Sequence, residues 1–342
     1  MQETTQQKIA AAWNWKEPVF TSVSSGLINR TWKVNEAGGQ WVLQAINTKV
    51  FPEPEKIDDN LQMLSHYLGN YDKNYLFSSP IAHKGGSTLL PVGEEVYRVF
   101  RWWDGTHTVS VVDDSQLAAS AAACFGDFTY RLREFPVIKL HTILPGFHDL
   151  AWRYFQFDTA VKEGDFHRMK ETKESISYLQ SKKDLVIQYE KFILHREVKQ
   201  RVIHHDTKIS NVLLNKENKA IAVIDLDTVM PGYFISDVGD MFRTYVSPVT
   251  EEEPDFDRIC IRKEYRDAIV DGYLSSMGSE LSAIEQNHIY FGGEMLMYMQ
   301  ALRFLSDYLM HDRYYGSRYE GQNRVRAENQ IRLLQLFQES LR

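Results

Sequence analysis

The stretch VIHHDTKISNVLL, residues 202–214, sets two histidines, an aspartate, a lysine and an asparagine between short apolar runs. AVIDLDTVMPG follows at 222–232. These runs predict two short strands around a polar loop, then a hairpin. A hairpin returns its second strand beside the first, so Asn211 and Asp225 can face each other, with Asp206 a little further into a cleft. Oxygen donors of this kind suit magnesium, which takes one or two carboxylates together with phosphate oxygens and water. Asp206 is then free to accept a proton from an attacking hydroxyl. Two aspartates among Val, Ile and Leu are costly to bury without a metal or hydrogen-bond partner. His204 and His205 lack the further His or Cys that zinc needs, and read as braces of the loop.

Upstream, the first hundred residues are rich in strand signals. FTSVSSGL, TWKVN, QWVLQAIN, LFSSPIAHK, STLLPV and EEVYRVFRWW carry β-branched and aromatic residues between turn signals. PEPEKIDDNLQMLSHYLGNY reads as a helix with an apolar stripe of Ile57, Leu61, Leu64 and Leu68. After the connector DGTHT the pattern turns helical. DDSQLAASAAACFGDFTYRLREF, LAWRYFQFDTAV, DFHRMKETKESISYLQ and KDLVIQYEKFILHREV precede the opening stretch. SDVGDMFRTYV, FDRICIRKEYRDAIVDGYLSSM and one long apolar helix from about Leu281 to Leu309 follow it. The expected fold is α+β and two-lobed. A small strand-rich lobe with one helix spans 1–103, and a larger helical lobe with the hairpin embedded in it spans 104–342. Clefts between such lobes are preferred ligand sites.

Composition sets the outer bounds. The 342 residues are 43% hydrophobic and 25% charged, as in an ordinary globular chain, and the net charge of -7 comes without a long basic block. That argues against a nucleic-acid or anionic-membrane partner. Two distant cysteines, Cys124 and Cys260, form no disulfide framework. MQETTQQKIAAAWNW has neither the basic start nor the apolar run of a signal peptide, so a cytoplasmic protein is expected.

The order His204-x-Asp206-x-Lys208-x-x-Asn211, then a hairpin and Asp225, resembles the protein-kinase catalytic loop and its metal-holding aspartate. The longer string IHHDTKISNVLLN, AVIDLDTVMPG and SDVGDMFR is similar to the aminoglycoside phosphotransferase/choline kinase superfamily, where glycine commonly stands at the position of His205. SGLINRTW, WVLQAIN, YRVFRWWDG, PGFHD and RFLSDYLMHDRYY narrow the likeness to the N-acetylhexosamine 1-kinase branch over nearly the whole chain. The resemblance implies a protein-kinase-like fold, ATP and Mg2+ as cofactors, and an amino sugar phosphorylated on its anomeric hydroxyl.

Carried over position by position, Asp206 is the catalytic base, Lys208 contacts the transferring phosphoryl group, and Asn211 and Asp225 hold magnesium. Asp227 is left between orienting substrate, holding a second metal and capping the hairpin; Asp240 is expected to support the loop. In the first lobe SSGLINRTW brings Gly26 and Asn29 near phosphates, although a plain hairpin fits as well. YRVFRWW, with Phe100 and Trp102, supplies the hinge for adenine. The departure is Gln44, which stands where most kinases carry the ATP-pairing lysine and brings no charge. Lys208 or Arg98 makes up for it, or the nucleotide is held differently, or the chain is an inactive nucleotide- or sugar-binding regulator. PGFHD offers Phe147 and His148 to the acceptor, and the late segment offers Arg303 and Tyr314. Homoserine, an amino alcohol or an aminoglycoside stands as the alternative acceptor.

Overall fold

Register in one five-stranded sheet organises the first lobe. The computed structural model describes residues 1–23 and 28–342. Helix α1 (Glu3–Ala12) leads into β1 (Val19–Val23), β2 (Arg30–Glu36) and β3 (Gly39–Ile46). Helix α2 (Pro54–Tyr71) intervenes before β4 (Leu90–Val92) and β5 (Glu95–Arg101). The sheet is antiparallel throughout, in the order β1-β2-β3-β5-β4. Gln44 of β3 stands directly opposite Arg98 of β5. Alternation sends Leu43, Ala45, Tyr97 and Val99 into a core with Trp32, Val34, Trp15 and Ile9 of α1. The helix α1 was not anticipated from the sequence, and it closes this core.

One further expectation fails here, for a physical reason. LFSSPIAHK is not a strand. It runs beside β5, donating from the Ile81 amide to Val99 O at 2.8 Å, but Pro80 has no amide to continue a ladder. The α2 stripe Ile57, Leu61, Leu64 and Leu68 belongs to the core of the helical lobe rather than to that of the sheet. Thus α2 reaches across the lobes.

The second lobe comprises α3 (Ser115–Arg131), α4 (Leu150–Glu163), α5 (Phe166–Glu171), α6 (Lys173–Ser181) and α7 (Asp184–Ile193) before the β-rich island. The island holds β6 (Arg201–Ile203), β7 (Val212–Leu214), β8 (Ala220–Val223) and β9 (Met230–Gly232). Strands β7 and β8 form the expected hairpin, while β6 pairs with β9. Then come α8 (Phe234–Tyr245), α9 (Lys263–Met277), α10 (Ala283–Asn287), α11 (Ile289–Leu309) and α12 (Gln322–Ser340).

The single long helix expected from Leu281 is two. Ser282 and Glu285 form a reciprocal capping box that starts α10, and the chain turns again at His288 before α11. At the lobe's centre α8 crosses α11 at Gly239 and Gly292, where a Cβ on either would meet the other's backbone. The close approach fixes α8 beneath the island. Among the described residues no helix is long and apolar enough to cross a membrane.

Candidate active site

The loop 204–211 is held from below by α8. Phe234 to Phe242 are all buried, including two carboxylates, Asp237 and Asp240, one turn apart. Asp237 accepts from the backbone N–H of His204 at 3.0 Å and of His205 at 2.7 Å. Asp240 accepts from the Thr207 N–H at 2.9 Å and from Arg243. Thr207 donates its hydroxyl to Asp237 O, and Tyr245 donates to Thr207 O. Burial pushes the Asp237 carboxyl up to about 7, against the lowering effect of its two backbone donors. Sequence reasoning passed over Asp237. Its signal was a second acidic residue on the apolar face of a helix, at i and i+3 with Asp240.

Both histidines are structural in their contacts. His204 is enclosed, shares a 2.9 Å hydrogen bond with Ile224 O, and meets Phe125 edge-on. His205 has φ of 65°, in the left-handed region, with Nδ1 near Ile203 O and Thr228 O. Burial lowers the pKa of both, that of His205 to about 4, so the rings are neutral at ordinary pH. Their geometry makes braces of them, as the spacing suggested.

Asp206, Lys208, Asn211 and Asp225 converge on one edge of the interlobe cleft. Lys208 Nζ lies 2.8 Å from Asp206 Oδ2. The Asn211 side-chain amide donates to Asp206 O at 2.9 Å and Oδ2 at 3.0 Å, which leaves its Oδ1 without a donor. Burial works against charge on Lys208, but the Asp206, Asp225 and Asp240 carboxylates outweigh it and raise its pKa.

Asp225 lies two residues past β8 rather than in it, at φ of 60°. Among the described residues its carboxylate has no hydrogen-bond donor and no cation within 4 Å. The side chain is open to the cleft although atoms of both lobes surround it. That enclosure, and then the neighbouring Asp227 and Asp206 carboxylates, raise its pKa. An unpartnered carboxylate beside a free amide oxygen is a donor set that fits a hard divalent cation, with the remaining ligands left to phosphate and water.

Above this edge the cleft encloses about 240 Å3, lined by Val23, Thr31, Val42 and Phe100 from the sheet, by Trp102 just past β5, and by Leu213, Ile224 and Leu226 from the island. Trp102 donates its amide to Gln40 O, which continues the β3–β5 ladder. Alternation then places Arg101 at a non-hydrogen-bonded position, its N–H and C=O turned away from β3. Gln44 lines the same cleft, but its Oε1 accepts from Arg98 Nε and Nη2 at 3.1 and 2.8 Å. Asp227, expected among acceptor contacts, is found with Arg98, 2.6 Å away, and with Asn29, whose amide donates at 2.7 Å. Gly26 lies outside the described residues.

A second cluster adjoins His205 on its far side. The His148 ring meets that of His205 at 5.3 Å and stacks on Phe147 at 4.5 Å. Arg303 lies over the Phe147 ring, and Arg153 donates to Phe147 O at 3.2 Å. Burial drives the His148 pKa well down, helped by His205 and the arginines, and its buried Nδ1 has no hydrogen-bond partner. Arg303 donates to Gln300 and, at 3.5 Å, to the Tyr314 hydroxyl. Arg98, Arg201, Arg243 and Arg326 each face a carboxylate. Among the described residues Arg153 and Arg303 face none within 4 Å, although Arg303 is only 9% exposed. Asp307 is spent on the Tyr314 and Tyr315 amides and on Asn323, and Asp312 on Arg168 and Asn323.

A strand-rich lobe over a helical one, with an aspartate, a lysine and a metal-type donor pair at the cleft between, is the architecture of a kinase-like phosphotransferase. The phosphotransferase enzyme family, APH, matches residues 19–280, and the chain belongs to it. Among solved structures it is similar to a microcompartment-associated aminopropanol kinase at 17% identity and a TM-score of 0.69, over 99% of this chain and 98% of that one. It is similar to an amicoumacin kinase in complex with AMP-PNP, Ca2+ and Ami, at 12% and 0.64, over 98% and 93%. A spectinomycin phosphotransferase in complex with ADP and spectinomycin follows at 10% and 0.63, over 99% of each chain. At these identities the likeness is one of fold.

Proposed function

We propose that this chain transfers the γ-phosphoryl group of ATP to the anomeric hydroxyl of an N-acetylhexosamine. The observation that carries the acceptor class is the pair of guanidinium groups, Arg153 and Arg303, without carboxylate partners beside the orphaned His148 Nδ1. This wall offers hydrogen-bond donors and positive charge. Cationic acceptors such as choline or an aminoglycoside call for acidic or aromatic cages, and the nearby acidic side chains, Asp307 and Asp312, are already spent on protein groups. A neutral acceptor rich in hydroxyl and carbonyl oxygens suits the donors, and the exposed Tyr314 ring offers an apolar face for a sugar.

In this reading Asp206 orients the acceptor hydroxyl and takes its proton as the bond to phosphorus forms. An anomeric hydroxyl is more acidic than an ordinary alcohol, so the demand on the base is modest. Lys208, held against Asp206, brings a fixed positive charge to the oxygens of the transferring group. Asn211 and Asp225 would hold magnesium, which when bound neutralises phosphate charge. Asp237 and Asp240 keep the loop from rearranging, so the rate gain comes from positioning and electrostatics. The domain division follows the same logic, with residues 1–103 covering the nucleotide and 104–342 carrying the acceptor.

The test is product identity. Incubation with MgATP and N-acetylglucosamine or N-acetylgalactosamine is expected to remove the sugar's reducing end and yield a 1-phosphate by phosphorus NMR. Phosphate on any other hydroxyl rejects the anomeric assignment.

A further inference from the structure

The strand that most kinases use to present a lysine to the nucleotide carries Gln44 here, and a neutral amide cannot offset phosphate charge. Directly opposite it, one strand over, stands Arg98. Its guanidinium is bent across Gln44, with Nε and Nη2 both on Gln44 Oε1, so the positive charge sits above the glutamine position. Asp227 holds it from the helical lobe, with Nη2 2.6 Å from Oδ1 and donating to Oδ2 at 2.8 Å. Asn29 completes the frame. It donates to Asp227 Oδ2 and accepts from the Asn47 amide at 3.0 Å. Arg98 and Asp227 are both nearly inaccessible, and a buried guanidinium held at this many points has one orientation.

A purely structural ion pair would explain the burial, but not three other observations. Arg98 lines the interlobe cleft together with Lys208, Asn211 and Asp225. Its Nη1 makes no hydrogen bond to any described residue, which leaves two N–H donors for a ligand. The other cations of the cleft wall leave the β3 position uncovered, since Lys208 is held by Asp206 at the catalytic edge, beside the transferring group, and Arg101 is exposed at the end of β5.

We infer that Arg98 is the cation that meets the nucleotide phosphates in this chain, relocated from β3 to β5, and that Asp227 is the positioning residue that fixes it. This rests on the nucleotide reading of the cleft, and deepens it by assigning Asp227 to the nucleotide side rather than to the acceptor. Guanidinium suits the role because its planar fork can keep Asp227 and Gln44 on one edge while presenting the other to phosphate.

The experiment is titration of MgATP against the full chain without acceptor, followed by calorimetry. Removing Arg98 alone leaves Asp227 buried and unpaired, so Arg98→Gln is paired with a second variant, Arg98→Gln/Asp227→Asn, which neutralises both partners. Both are expected to weaken ATP binding about tenfold to a hundredfold, the range of a lost charge-assisted hydrogen bond. A third variant, Arg98→Gln/Gln44→Lys, returns a cation to β3 beside Asp227 and is expected to recover at least about tenfold of that loss. Two results overturn the assignment: a folded Arg98→Gln/Asp227→Asn protein that binds ATP within about twofold of wild type, or a loss that Gln44→Lys does not recover. A wild-type chain that binds MgATP but phosphorylates no N-acetylhexosamine refutes the acceptor alone. One that binds no MgATP refutes both readings.

Discussion

His205 and Gly232 share one space: a Cβ on Gly232 would collide with the His205 imidazole. His205 also adopts φ of 65°, where any residue but glycine is strained by about 1–2 kcal/mol. The ring is held by Ile203 O and Thr228 O, and it carries the contact from the 204–211 loop to His148. Gly232→Ala is therefore expected to lower stability by about 1–3 kcal/mol through overpacking. In a His205→Gly background the same change should cost little, because the space is vacated. Equal losses in both backgrounds, read from denaturant unfolding, would show that the two positions are independent.

Asp237 is expected to matter as much as any residue that faces the cleft. Asp237→Ala strands the buried N–H groups of His204 and His205, at a cost of about 3 kcal/mol. It should also slow turnover sharply while leaving MgATP affinity within a few-fold, since the loop and not the sheet is disturbed. A variant with wild-type melting temperature and wild-type kcat would refute the bracing role.

The pH dependence of stability has a definite sign at His205. Its folded pKa, near 4, lies below the ordinary 6.5, so the folded state holds the neutral ring. The contribution is complete above pH 6.5 and is lost as pH falls toward 4, by up to about 3 kcal/mol at 1.4 kcal/mol per unit. Asp237, pushed up to about 7 from 3.8, works the other way: it disfavours the folded state as pH rises through that window. The difference between wild type and His205→Gly isolates the histidine. A difference in unfolding free energy that stays flat from pH 7 to pH 4.5 would contradict a buried neutral ring.

Much of this was legible in the sequence because the chemistry is local. Asp206, Lys208 and Asn211 lie within six residues, and a two-strand hairpin brings Asp225 back to them. What escaped depends on contacts between distant segments. In LFSSPIAHK only Pro80 argues against a ladder, while its single hydrogen bond to Val99 is set by the distant β5, and α1 is fixed only by the sheet core it caps. In VIDLD the resemblance gives Asp225 to the metal and leaves Asp227 between substrate, a second metal and a cap. Only the fold separates them, Asp225 open to the cleft and Asp227 turned to Arg98 of the other lobe.

Arg303 is expected to act on the acceptor alone. Arg303→Met should raise the acceptor KM about tenfold or more, as loss of a charged donor does, with the KM for ATP unchanged. Arg153, which shares the Phe147 site, should behave alike and less than additively with it. A rise in both KM values together would point to a general loss of structure.

The most direct measurement is ADP release, coupled to an optical readout, across a panel of N-acetylhexosamines, choline-type amino alcohols, homoserine and aminoglycosides. Wild type is expected to turn over N-acetylhexosamines with kcat/KM at least about a hundredfold above any cationic acceptor, and Asp206→Asn to lose nearly all of that turnover while still binding MgATP. Preferred turnover of a cationic acceptor, or an Asp206→Asn protein almost as active as wild type, would contradict the proposed chemistry at its centre.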